Sequence, residues 1–320
     1  MKTRMLHDIE VFEVGMGCMA FSHGYGKIPP ENYSIEAIRG AYEHGCTFFD
    51  TAEVYSPNLI GSGHNERIVG KALEPYRDDV VIATKLMLRG GFGRDVYRMI
   101  RRHLEESLSR LRTDYVDLCY LHRVGGTPIE EVAFAMGRLI DEGFIRGWGL
   151  SQVDVDVIDR AQRVTPLSAI QNIYSMVERD SESAVIPYCI KHDIGFVPFS
   201  PIASGLLSGK ITTSTKFERR DDVRNWVPQL SKVNIAGNQP IIDLLADYAE
   251  LKGSTSAQIS LAWMLRKWPN VVPIPGSKNK GRIIENLDSA LVDLTDEEFG
   301  SLQAALDECV VYGHRCLGGF

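Results

Sequence analysis

Four residues of types that hold or move protons stand at or just beyond the ends of apolar runs. Asp50 closes Thr47-Phe48-Phe49, and Tyr55 follows it by five residues. Lys85 ends Val80-Val81-Ile82-Ala83-Thr84, and His122 ends the run from Val116 to Leu121. A free phenol, with a pKa near 10, is a poor acid at neutral pH. A neighbouring ammonium favours the phenolate and lowers that pKa. Lys85 can supply the ammonium, Asp50 can keep it charged and oriented, and His122 can hydrogen-bond a substrate oxygen. Such a set protonates an oxygen that gains negative charge, as a carbonyl does when it accepts hydride. Each residue alone has a plainer account: a turn cap for Asp50, a solvated lysine for Lys85, a satisfied core histidine for His122, loop packing for Tyr55. Their recurrence at successive strand ends lifts the set above those accounts.

The elements that would position them alternate along the chain. Eight apolar segments read as strands: Val11 to Met19, Thr47 to Phe49, Val80 to Thr84, Val116 to Leu121, Ile145 to Leu150, Ser168 to Ile170, Gly195 to Phe199 and Val271 to Ile274. Between them lie helical patterns: one capped by Ser34 and stopped at Gly45, then Glu66 to Leu73, Tyr97 to Leu111, Pro128 to Glu142, Val155 to Val164, Glu182 to Lys191, Pro240 to Lys252 and Ser256 to Lys267. Near-continuous apolar strands alternating with helices imply a parallel sheet covered by helices. Eight units predict an α/β fold, a (β/α)8 TIM barrel with extended βα loops, as one domain over residues 1–320. The alternative is an open doubly wound sheet. Gly15-Met16-Gly17 begins its glycine fingerprint, but position 20 is Ala. In a barrel the strand ends Asp50, Lys85, His122, Ser151, Gln171, Ser200 and Gly276-Ser277 share one mouth. The irregular polar stretch 212–239 exceeds an ordinary barrel loop and reads as a cover for cofactor or substrate, with a disordered insertion as the other reading.

Bulk properties exclude several classes. The chain has 320 residues, 44% hydrophobic and 24% charged, an ordinary soluble composition. A net charge of −7 gives no reason to expect nucleic acid or an anionic membrane as partner. Six scattered cysteines without a Cys-x-x-Cys pair suggest free thiols in a reducing compartment. No run of about 18 apolar residues and no signal peptide are present, so a cytoplasmic location is expected. Only His122 is a histidine at a strand end, so no metal site is expected. A Schiff-base aldolase would need Lys85 neutral, against the presence of Asp50.

The stretch Asp50-Thr51-Ala52-Glu53-Val54-Tyr55, with Thr84-Lys85, Leu121-His122-Arg123, Gly149-Leu150-Ser151, Gln171-Asn172-Ile173-Tyr174-Ser175 and Ile274-Pro275-Gly276-Ser277, resembles the aldo-keto reductase family from about Val11 to Leu294. The resemblance implies a barrel that binds extended NADP(H) without a Rossmann domain and acts on a small-molecule carbonyl. Tyr55 would be general acid for reduction and base for oxidation, Lys85 would tune it, Asp50 would pair with Lys85, and His122 would orient the carbonyl. Ser151, Gln152 and Gln171 would hold the nicotinamide carboxamide, and Phe199 would stack on the ring. Many relatives carry Asn where this chain has Gln152. Ser200, Ile202, Ser204, Leu206, Ser208 and Lys210 would follow the pyrophosphate. Gly276, Ser277, Lys278 and Arg282 would meet the 2′-phosphate end, with Glu285 and Asn286 on the adenine; two cations there favour NADPH over NADH.

Two departures stand out. The segment His122 to Thr127 lacks the aspartate often found after this histidine, and residues 57–64 lengthen the loop beside Tyr55. Met19, Phe21, Met87, Arg123, Trp226 and the tail from Tyr312 to Phe320 are candidate substrate contacts. A second class is a nucleotide-binding regulatory or sensor barrel with slow turnover, resembling potassium-channel β subunits.

Overall fold

A computed structural model describes residues 2–57, 63–88, 95–217 and 222–315. Most of the insertion beside Tyr55, residues 218–221 of the long loop, and the tail after Arg315 with Cys316 lie outside the described residues.

The chain opens with strands β1 (Thr3–Leu6) and β2 (Ile9–Phe12). It then alternates through β3 (Met16–Gly17), α1 (Glu31–Glu43), β4 (Phe48–Asp50), α2 (His64–Leu73), β5 (Val81–Leu86), α3 (Val96–Leu111), β6 (Val116–Leu121) and α4 (Ile129–Asp141). Next come β7 (Ile145–Ser151), α5 (Val155–Gln162), β8 (Ala169–Gln171), α6 (Val185–Lys191) and β9 (Gly195–Phe196). The last helices are α7 (Lys232–Gly237), α8 (Gln239–Lys252), α9 (Ser256–Lys267), α10 (Lys280–Leu287) and α11 (Asp296–Glu308).

Strands β3 to β9 form one parallel sheet in chain order. The expected last strand closes it into the barrel. On one side Val272 N donates to Phe196 O at 2.9 Å and Ile274 N to Pro198 O at 3.2 Å. On the other, Gly15 N donates to Pro273 O at 2.9 Å, and Gly17 pairs with Gly276. Pro273 and Pro275 have no N–H, so this segment closes the barrel through single bridges rather than a ladder. Gly17 must stay bare, because a Cβ there would lie 2.8 Å from Ile274 O.

The predicted first strand divides. Ile9–Phe12 turns away and pairs antiparallel with Thr3–Leu6, and only Met16–Gly17 enters the barrel. An apolar run through residues 11–19 carries no mark of that division. The hairpin floors the barrel: Leu6 and Ile9 join Phe48, Val81, Ala83, Leu118, Tyr120, Ala169, Val197, Val272 and Ile274 in the interior cluster. Gly195 gives Leu6 its room, since a Cβ there would come within 2.2 Å of Leu6 Cδ2.

The outer core lies between strands and helices. Helix α1 begins at Glu31, after Pro29-Pro30, not at Ser34; the buried Ser34 hydroxyl donates back to Pro30 O at 3.2 Å. Helix α6 begins at Val185, because Asp180–Glu182 forms a separate 3-10 turn. Helices α7, α10 and α11 were not expected. Cys18, Cys46, Cys119 and Cys189 are buried free thiols and Cys309 a half-buried one. Among the described residues, no helix is long and apolar enough to cross a membrane, and no cluster of His, Cys, Asp or Glu is placed to hold a metal.

Candidate active site

Strand β4 delivers Asp50 and strand β5 delivers Lys85, both buried at the same end of the barrel. Lys85 Nζ donates to Asp50 Oδ1, to Thr51 O at 2.8 Å and to Tyr55 Oη at 3.3 Å. The fourth member, His122 at the end of β6, meets the Tyr55 ring edge-to-face with centroids 5.9 Å apart. All four predicted acid–base residues therefore come together. The loop carrying Tyr55 is pinned from below. Thr51 N donates to Ala83 O at 2.9 Å, Thr51 Oγ1 to Asn65 Oδ1 at 2.6 Å, and Glu53 Oε1 accepts from Met87 N.

The electrostatics follow from this packing. Burial opposes the Lys85 charge, yet Asp50 and Tyr55 outweigh it and the ammonium's pKa is raised. Burial also pushes the Tyr55 phenol up, further than Lys85 and Arg123 pull it down. The sequence pointed to a lowered phenol pKa; desolvation reverses the sign. Tyr55 is thus a neutral phenol that accepts a hydrogen bond from Lys85 and keeps its own proton to give. His122 is pushed from 6.5 down to about 2 by burial and then by Lys85 and Arg123, so its ring is neutral, and its buried Nδ1 has no partner.

Beyond the tetrad, strands β7 and β8 bring Ser151 and Gln171 to the same mouth. Gln171 Nε2 donates to Asp50 Oδ2 at 2.8 Å, so this amide is tied to the ion pair. Gln152 has φ 56° and its Oε1 accepts from Ile173 N at 3.0 Å. Asn172, which the sequence did not single out, locks the two strand ends: its Oδ1 accepts from Val153 N at 3.2 Å and its Nδ2 donates to Val153 O at 2.8 Å. Phe199 packs against the interior cluster, and its N donates to Asn172 O at 3.2 Å.

After Phe199 the backbone winds through left-handed conformations at Ser200, Ala203, Ser204 and Gly205. Such a run is costly for residues other than glycine and concentrates at ligand sites. It forms a strap in which Leu206 is buried, Ile202 is partly buried against the core, and Ser208 Oγ donates to Gly205 O at 2.6 Å. Lys210 Nζ at the strap's end pairs with Glu285 Oε2 at 3.5 Å, and Glu285 Oε1 accepts from Thr255 Oγ1 at 3.0 Å. The strap thereby reaches α10, where Asn279 caps the helix through Arg282 N, Asn286 is buried, and the Arg282 side chain is exposed. Ser277 Oγ accepts from Asn279 N at 3.1 Å, and Lys278 Nζ donates to Tyr25 O and Lys27 O at 2.5 and 2.6 Å. Every predicted cofactor residue falls on this line from the mouth to α10.

The substrate-contact candidates fare unevenly. Phe21 is fully buried in the outer core and Trp226 is largely exposed. In the described part of the long loop, Asp222 caps the turn Val223–Trp226, and Val223 N donates to Gly24 O at 2.8 Å. Within the tail from Tyr312, Arg315 Nη1 donates to Ser200 Oγ at 3.5 Å from the far end of the chain.

The comparisons bear on the family and the fold. The model of the aldo/keto reductase family matches residues 13–307. A soybean (Glycine max) protein named probable aldo-keto reductase 1 is 33% identical, over 97% of this chain and 90% of its own. The glycerol dehydrogenase of Gluconobacter oxydans superposes with a TM-score of 0.84 at 29% identity, covering 99% of this chain and 98% of that one. An aldo/keto reductase from Klebsiella pneumoniae, solved in complex with NADP and acetate, gives 0.74 at 26% identity, covering 98% and 99%. A closed barrel carrying the tetrad, matched along almost all of its length, belongs to the aldo/keto reductase family.

Proposed function

We propose that this protein reduces an aldehyde or ketone with NADPH, with Tyr55 as the general acid. The observation that carries the reading is the hydrogen bond from a raised-pKa Lys85 to a phenol that itself remains protonated. NADPH, when bound, supplies hydride to the carbonyl carbon. The carbonyl oxygen then takes the Tyr55 proton, giving an alcohol, and solvent reprotonates the phenolate. Lys85 stabilises the negative charge that Tyr55 acquires. Neutral His122 directs a hydrogen bond at the same oxygen without competing as an acid. Asp50, held by Lys85 and Gln171, keeps the ammonium in place.

The residues beyond the mouth fit a dinucleotide phosphate. Ser200, Ser204 and Ser208 offer hydroxyls along the strap, Lys210 stands at its end, and Lys278 and Arg282 flank the start of α10. Glu285 and Asn286 lie one turn further along that helix. Phe199 and Ser151 would hold the nicotinamide beside the tetrad. The Klebsiella relative was solved with NADP bound, which supports the same cofactor here.

Titrating NADPH and NADH while following tryptophan fluorescence tests the cofactor, and steady-state NADPH oxidation over an aldehyde panel tests the turnover. Tight NADPH binding with turnover is the expected result. Binding without turnover would favour a sensor role, and no binding of either nucleotide would overturn the reading.

A further inference from the structure

We infer that the carbonyl substrate carries a second, anionic group, a carboxylate or a phosphate, held by Arg123. This rests on the reductase reading above and names its substrate class. Arg123 follows His122 at the end of β6 and is partly buried. Its Nη1 donates to His122 O at 2.7 Å and to Ser151 Oγ at 3.3 Å, both neutral acceptors. These two bonds fix the guanidinium beside the tetrad. Its charge acts on both Tyr55 and His122.

Among the described residues, the guanidinium lacks a counter-charge. Burial lowers its pKa, and Tyr55 is the one group that acts in the other direction. No carboxylate among the described residues pairs with it. The loop that follows, Val124-Gly125-Gly126-Thr127, contains none. Three other partly buried guanidiniums are treated differently. Arg77 pairs with Asp117 at 2.8 Å, Arg110 with Glu66 at 2.6 Å, and Arg4 with Glu13 at 3.5 Å. A half-buried cation without a partner is costly, and that cost is offset when a ligand brings the anion. Arginine's planar fork suits two oxygens of a carboxylate or phosphate. On the proposed cofactor path, Lys210 after the strap and Lys278 and Arg282 at the start of α10 would serve the phosphates, which leaves Arg123 for the substrate.

The anionic group makes and breaks no bond. The carbonyl carbon gains hydride from NADPH, its oxygen gains the Tyr55 proton, and the carboxylate or phosphate emerges unchanged on the alcohol.

Matched pairs of substrates test this: 4-oxobutanoate against its methyl ester, and glycolaldehyde phosphate against glycolaldehyde. In the intact protein, kcat/KM for one charged member should exceed its neutral partner by about thirtyfold or more, chiefly through KM. Arg123→Met should reduce that ratio at least about tenfold and Arg123→Lys should restore part of it. The ratio is taken within one protein, so a loss of folded enzyme cancels. Preference in the first pair assigns a carboxylate, and in the second a phosphate. Equal use of charged and neutral members, or a ratio unmoved in Arg123→Met, would overturn the inference while leaving the reductase reading intact. Failure to reduce any of the four would overturn both.

Discussion

Lys85 is a buried cation, held by Asp50 on one side and Tyr55 on the other. Lys85→Met would leave Asp50 buried and unpaired, a change of about 3–5 kcal/mol in stability, read as a drop in the denaturation midpoint. The same variant removes the influence that holds the Tyr55 pKa down, so any residual reduction should be slow at every pH. In the parent protein the raised phenol pKa keeps the proton donor loaded, so reduction should stay level from about pH 6 to about pH 9, and alcohol oxidation should rise with pH. His122 supplies a second pH effect. Its folded pKa is about 2 against 6.5 for a free imidazole, so between those values the unfolded chain binds a proton that the folded chain refuses. Stability is therefore lost as pH falls below about 6.5, by up to about 1.4 kcal/mol per pH unit from this group. Denaturant melts at pH 7 and pH 5 should show that loss, and His122→Asn should show less of it. The tetrad was legible because its residue types stand out against apolar strand ends. The sign of the Tyr55 shift was not, because it depends on burial, which the residue types do not carry.

Strand ends place the chemistry only if they are held in register. Asn172 does that for β7 and β8 by bonding both backbone groups of Val153. Asn172→Ala would leave those groups unpaired and cost about 1–3 kcal/mol. It should also weaken NADPH binding, because Ser151, Gln152 and Gln171 lie on the two ends it joins; denaturant unfolding measures the first effect and calorimetric titration the second. Apolar periodicity located the strands well, but the hairpin of β1 and β2 escaped it, since Val11 is as apolar on a floor strand as on a barrel strand. Helix α11 carried a readable start in Thr295-Asp296-Glu297-Glu298, whose Thr295 and Glu298 cap one another's backbone. Helix α10 is announced only by Asn279, and α7 by Ser231, caps too common in loops to have counted alone.

Across the whole molecule, the tail meets segments far from it in sequence, one of them the strap at Ser200. Tyr312 N and O bond Asn238, His314 lies 2.8 Å from Glu178 and 3.0 Å from Asp180, and Arg315 reaches Ser200. No pattern local to the tail could have announced this, because each partner lies more than a hundred residues away or in another loop. At the other end of the line, Arg282 is exposed, and it is the residue we propose for a 2′-phosphate. Arg282→Ala should weaken NADPH binding about tenfold to a hundredfold and leave NADH binding nearly unchanged. The central claim is that Tyr55 gives the proton, and Tyr55→Phe tests it most directly. The variant keeps the ring against His122 and removes only the hydroxyl. We predict NADPH affinity within about threefold of the parent and carbonyl reduction lowered by at least about a thousandfold. Reduction at a rate near the parent's, with NADPH still bound, would contradict the account and move the proton donor elsewhere in the mouth.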